Sequence, residues 1–169
     1  GDGKPEIFGT VNGPDEISIF KNTSVPGTAS FTANIDLPTG SWPSTVSAGD
    51  LDGDSKADLV VSNTNSGGIS IFKNNSSVGS LTFLPKTDIA TGGSVFGNGI
   101  NDLNGDGKPD LYVPNFNSGT LSLLANNSTS GTISFQPKSD ISVADHPSVV
   151  HSGDLDGDGK PDLVINNSG

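Results

Sequence analysis

An internal period of 52 residues constrains this chain more than any other feature. The nonapeptide Asp-Leu-Asp-Gly-Asp-Gly-Lys-Pro-Asp at 154–162 recurs as Asp-Leu-Asp-Gly-Asp-Ser-Lys-Ala-Asp at 50–58 and as Asp-Leu-Asn-Gly-Asp-Gly-Lys-Pro-Asp at 102–110. Residues 1–6 match the tail of a further copy, so that Asp2, Asp54, Asp106 and Asp158 fall in register. Segments 50–101 and 102–153 align without a gap, with 22 identities in 52 positions. Self-similarity at such a period marks propellers and repeat arrays, in which each unit buries its apolar face against the next. The expected organisation is one segment, 1–169, divided into 1–49 (with a truncated loop), 50–101, 102–153 and a partial 154–169.

Each unit reads as four short strands. In the second unit these are Thr45 to Ala48, leading into the acidic loop, then Asp58 to Asn63, Ile69 to Asn74 and Leu81 to Pro85. Asn-Ser-Gly at 65–67 and 117–119 reads as the turn between the second and third strands. Ile69 and Ile71 alternate with Ser70, the period of a strand. The third strand has counterparts at Ile17 to Asn22 and Leu121 to Asn126, and Phe83 is matched by Phe31 and Phe135, which are expected in the core. Gly (23) and Pro (11) interrupt the chain too often for helices, and β-branched residues fill the periodic segments. The fold class expected is all-β: propeller blades of four antiparallel strands, three repeats plus a partial one.

The nonapeptide has the oxygen chemistry of a Ca²⁺ loop. Calcium takes about six to eight hard oxygen ligands at about 2.3–2.6 Å. In 154–162 the carboxylates of Asp154, Asp156, Asp158 and Asp162, with the carbonyl of Lys160, can converge on one point, and Gly157 and Gly159 allow the sharp turn. Without a cation these carboxylates repel one another. Three copies in register argue against solvated turns. An EF-hand is excluded, because it needs a Glu at position 12 and flanking helices, whereas Val61, Val113 and Ile165 stand there within β-rich runs. Mg²⁺ suits so crowded a loop less well. Asn104 removes one charge from 102–110, and Ser55 replaces Gly where a left-handed backbone is expected, so 154–162 is expected to bind tightest.

Composition narrows the function classes. The net charge is −11, with 19 acidic residues against 8 basic ones, all Lys. Nucleic-acid binding is disfavoured, since it requires clustered cations. Cysteine is absent, so no disulfide holds the fold and calcium is the expected staple. No apolar run reaches the ~18 residues of a membrane span. The affinity range of extracellular calcium modules suits a secreted or cell-surface location. The lack of an initiator Met and of a signal peptide is expected of a mature or excised piece of a longer precursor.

The Asp-x-(Asp/Asn)-Gly-Asp-Gly-Lys-Pro-Asp loop followed by Leu-Val-Val resembles the FG-GAP/VCBS repeats, which build the calcium-binding propellers of integrin α-subunits, secreted bacterial proteins and a fungal lectin. The resemblance spans essentially the whole chain. It implies calcium between the first and second strands of each blade. The ligands it implies are Asp50, Asp52, Asp54, the Lys56 carbonyl and Asp58; Asp102, Asn104, Asp106, the Lys108 carbonyl and Asp110; and the 154–162 set. Such propellers usually close with about seven blades. Three repeats do not close a ring, so the chain is expected to be part of a longer propeller or to form a homo-oligomer that completes one. Asp2 and Glu6 alone are expected to bind calcium poorly.

The blade face opposite the metal loops is the candidate ligand surface. It would carry Trp42, Pro43, Phe96, His146 and Pro147 beside Asn63, Asn65, Asn115 and Asn117. An aromatic platform beside amides suits a sugar ring and its hydroxyls. Trp42, the single Trp, shares its repeat position with His146. The competing reading packs Trp42 between blades and uses the Asn residues to shape turns. A calcium-stabilised carbohydrate-binding module is the expected function. The alternatives are a protein-interaction or adhesion propeller that binds a surface protein, and a non-catalytic part of a larger secreted enzyme. No catalytic set is assigned: His146 and His151 are the only histidines, and adjacency to Asp145 or Ser152 does not make a triad.

Overall fold

The computed structural model describes residues 3–33 and 35–168. Asp2, the start of the truncated first loop, lies outside the described residues. Among them the chain forms thirteen strands and no helix. Strands β1 (Ile7–Val11), β2 (Glu16–Phe20) and β3 (Ile35–Pro38) make a three-stranded antiparallel sheet. Strands β4 (Pro43–Gly49), β5 (Asp58–Asn63), β6 (Gly68–Phe72) and β7 (Thr87–Ala90) make a complete four-stranded one, in chain order. Strands β8 (Gly99–Asn101), β9 (Asp110–Asn115), β10 (Thr120–Leu124) and β11 (Ser139–Ser142) repeat it. Strands β12 (Pro147–Gly153) and β13 (Asp162–Asn167) pair as a two-stranded sheet. This is a β-propeller-like, all-β architecture of successive blades.

Face-to-face packing of the sheets supplies the core. The second strand of a blade alternates between its two neighbours. Leu59 and Val61 pack with Ile17, Ile19 and Phe72 toward the first sheet. Val60 joins Ile69, Ile71, Leu111, Val113 and Leu124 between the second and third sheets. Tyr112 turns the other way, with Leu121 and Val150, toward the last sheet. Strands β5 and β9 are therefore buried at every residue, which explains why they read as continuous apolar runs. Each fully buried aliphatic side chain contributes about 1.5–3 kcal/mol. An amide also ties blade to blade: Asn126 Nδ2 donates to the Leu51 carbonyl at 2.9 Å and to the Pro109 carbonyl at 2.7 Å.

The expected second strand, 58–63, matches β5 at both ends, and the first and third strands are found with shifted ends. The expected fourth strand is a correction. Leu81 to Pro85 does not complete the sheet; β7, at Thr87–Ala90, does so by pairing with β6. The chain first makes a tight excursion in which Ser77 and Ser80 exchange backbone hydrogen bonds, and Phe83 only bridges Asn74. Pro85, lacking an N–H, ends that excursion before the last strand begins. Phe83 and Phe135 pack partly buried against the cores, whereas Phe31 is 39 % exposed and is not core.

A polar relay crosses each complete blade. Asn63 Nδ2 donates to Ser70 Oγ (2.9 Å), which donates to Asp88 Oδ1 (2.6 Å), while Lys86 holds the other Asp88 oxygen. Asn115, Ser122, Asp140 and Lys138 repeat it one period later. Ser18 and Asp36 keep its outer part in the first sheet. The relay lets Ser70 and Ser122, both fully buried, sit between apolar layers with their hydroxyls bonded.

Candidate functional site

The three acidic loops join the first and second strands of their sheets and share one hydrogen-bond plan. The first carboxylate folds the loop over itself. Asp50 accepts from the amides of Gly53 (2.8 Å) and Ser55 (2.8 Å); Asp102 accepts from Gly105 and Gly107, and Asp154 from Gly157 and Gly159. The fifth-position residue turns in the same way, with Asp54, Asp106 and Asp158 accepting from Lys56, Lys108 and Lys160. The ninth-position carboxylate closes the loop: Asp58, Asp110 and Asp162 accept from the amides of Leu51, Leu103 and Leu155. Asp58 and Asp110 also accept from Asn74 and Asn126, which fixes the loop to the end of the third strand.

This fold requires left-handed backbone at the fourth and sixth positions. Gly53, Gly105 and Gly157 have φ of 73–83°, and Gly107 and Gly159 have φ of 82–83°. Ser55 adopts the same conformation, at φ 66°, without glycine's freedom.

The donor set fits calcium. Oxygens at 2.3–2.6 Å from one ion lie no more than about 5 Å apart. Carboxylate oxygens of Asp50, Asp52 and Asp58 all lie within 4.8 Å of one another, as do those of Asp154, Asp156 and Asp162. In 102–110 the Asn104 side-chain oxygen takes the place of the third-position carboxylate and accepts from the Asp106 amide, as Asp52 and Asp156 do from Asp54 and Asp158.

The loops differ electrostatically. Burial raises the pKa of Asp58, against the hydrogen bonds from the Asn74 and Leu51 amides. The Gly107 amide leads the groups that hold Asp102 below the ordinary carboxylate value. In 50–58 an ammonium from the third strand enters the loop: Lys73 contacts Asp52 and lies 2.9 Å from Asp54 Oδ2. Its hydrogen bond lowers the pKa of Asp54. Burial works to lower the pKa of Lys73 itself, but its bonds to Asp52 and Asp54 outweigh this and raise it.

At the other end of the second strands lie the turns and the blade entries. Trp42 and His146 both hold left-handed backbone, at φ 59° and 55°, and both side chains are exposed. The Trp42 amide donates to Asp15 Oδ1 (2.7 Å) and its carbonyl accepts from Thr64. Trp42, 49 % exposed, is thus surface and not packed between blades. Asn65 and Asn117 are also exposed, with Asn117 Nδ2 donating to Ser94 Oγ (3.0 Å). Asn63 and Asn115 are buried within the relay and present no surface. The structure adds Phe116, which the sequence reading missed. Its ring lies 5.0 Å from Phe96, edge-on, and 4.7 Å from His146. The signal was available in the repeat: Phe116 occupies the position of Thr64, so it breaks the register on the face where Trp42 and His146 also do.

The fold and loops together define a class, a propeller-like repeat protein with an acidic loop in each blade. An FG-GAP-like repeat model matches residues 1–61, 56–113 and 102–165, and the chain belongs to that family. Repeats of this family form β-propeller-like interaction modules. No curated protein matches the chain.

Proposed function

We propose that this chain is a secreted, calcium-stabilised binding module that recognises carbohydrate through the face opposite its acidic loops. The observation that carries the reading is the Phe96–Phe116–His146 cluster. Phe116 stacks between Phe96 and His146 at ring distances of 5.0 and 4.7 Å, and Phe96 is 37 % exposed. Phe96 and His146 are exposed and Phe116 is half-buried between them, while Asn117, next in sequence, is exposed, so the face offers both an apolar plane and a polar edge. Trp42 with Asn65 repeats that pairing at an earlier blade entry. The left-handed backbone of Trp42 and His146 supports a surface role, since φ above zero costs a non-glycine residue about 1–3 kcal/mol and such strain clusters at ligand sites.

Calcium is assigned to Asp50, Asp52, Asp54, Asp58 and the Lys56 carbonyl, to Asp102, Asn104, Asp106, Asp110 and the Lys108 carbonyl, and to Asp154, Asp156, Asp158, Asp162 and the Lys160 carbonyl. The ion would supply the charge that lets these oxygens converge, and it has no part in recognition. The chain's own residues do the binding.

The test is a glycan array probed with calcium-loaded protein whose fold is checked by circular dichroism. Discrete hits that Phe116→Ala removes without unfolding the protein are expected. A blank array from folded protein would refute carbohydrate recognition and leave a protein-binding propeller.

A further inference from the structure

We infer that Lys73 is the resident cation of the 50–58 loop, and that it makes this loop a far weaker calcium site than the other two. The inference rests on calcium being the ion of the acidic loops.

Three observations carry it. The Lys73 ammonium bridges the third- and fifth-position carboxylates, Asp52 and Asp54, whose oxygens an ion would need. The contact lies in a desolvated place: the Asp52 side chain is fully buried and that of Lys73 is only 17 % exposed. A buried carboxylate is costly unless it is paired or fully hydrogen-bonded, and at Asp52 the chain provides the paired cation covalently. The arrangement is also particular to this blade. One period earlier Lys21 points its ammonium at the Gly79 carbonyl, and one period later the position is Ala125. The backbone there is the same, since the Lys73 and Ala125 carbonyls both accept an amide at 2.9 Å, from Leu84 and Gln136. Only the side chain differs. Loop 154–162 has no such partner among the described residues; Lys160 is exposed, 3.6 Å from Asp158.

Calcium entering 50–58 must displace the ammonium or share the carboxylates with it at a few ångströms. Either route weakens binding. The carboxylates of 50–58 are then compensated whether or not calcium is present, while those of the other two loops gain most from the ion.

Calcium titration by calorimetry, with the amide signals of Gly53, Gly105 and Gly157 followed by ¹⁵N NMR, tests this. Each of these amides donates to the first carboxylate of its loop and reports one site. At micromolar calcium two equivalents are expected, with Gly105 and Gly157 shifting and Gly53 static. Lys73→Met keeps the apolar stem and should tighten the 50–58 site at least about 10-fold, adding a third equivalent. Ala125→Lys should weaken the 102–110 site as well, by less because Asn104 leaves only Asp106 to pair with it, and this guards against a Lys73 variant that fails to fold. Three equal sites in the unaltered chain, or Lys73→Met without effect on the Gly53 signal, would overturn the role of Lys73 while leaving calcium binding intact. No heat and no shift at any glycine would overturn both.

Discussion

Gly99 and Tyr112 face each other across β8 and β9, and exchanging both should cost less than the two single changes together. A Cβ built on Gly99 would stand 2.0–2.3 Å from the Tyr112 ring and hydroxyl, where ordinary contact begins at about 3.4 Å. Gly99→Ser must push the ring off its seat by more than 1 Å and should cost about 1–3 kcal/mol or more, as overpacking does. Tyr112→Val empties a site that is 3 % exposed and removes the 2.8 Å bond to Ser152, at roughly 2–3 kcal/mol. The neighbouring blade shows the alternative solution at the same register, Ser47 opposite Val60. The double variant reproduces that pair. Ser152 Oγ keeps a partner in it, because Asn101 donates to it at 2.9 Å. The coupling in a double-mutant cycle should therefore be about 1–3 kcal/mol in favour of the double variant. Urea unfolding of the four proteins measures it, and at this chain length each 1 kcal/mol also moves Tm by roughly 2–4 °C. Strict additivity within about 0.5 kcal/mol would refute the argument that ring and glycine are one packing solution.

Other outcomes follow from single groups. Ser55→Gly should raise stability by about 0.5–1 kcal/mol, since φ 66° suits glycine; an unchanged or lower Tm would contradict backbone strain there. Ser122→Ala breaks the relay between Asn115 and Asp140 and should cost about 1–3 kcal/mol by leaving buried polar atoms unpaired, measured by chemical denaturation. The Lys138 hydrogen bond, followed by that of Ser122, lowers the pKa of Asp140. Its contribution is present above the unfolded carboxylate value of about 3.9 and is lost as pH falls through the folded one. Melting curves from pH 6 to pH 3 should thus fall less steeply for Asp140→Asn, by a small amount because the group is partly exposed. Chelation should lower Tm by roughly 5–10 °C for each loop that held calcium at about 100 times its Kd; an identical melt in chelator would count against calcium as the staple.

The period of 52 and the acidic nonapeptide determine much of this protein. They mark the loops, because carboxylates at fixed spacing can close on one point only if glycine or its equivalent turns the chain, and φ at Gly53, Ser55, Gly107 and Gly159 follows that rule. They also mark the second strand, because a run such as Leu-Val-Val has to be covered on both faces. Local sequence could not place the fourth strand. Leu81 to Pro85 is more apolar than Thr87–Ala90, yet the latter pairs with β6, because Asp88 must reach Ser70 and the preceding turn uses up the apolar segment. Nor could it separate Asn63 and Asn115, buried in a relay three strands wide, from Asn65 and Asn117 on the surface two residues away. The pairing of Lys73 with Asp52 and Asp54 and the meeting of Phe96, Phe116 and His146 join residues about 20 to 50 positions apart. A repeat makes its own unit legible, since every copy restates the same local chemistry. What lies between strands and blades depends on side chains that differ from copy to copy, and those are brought together only when the sheets stack.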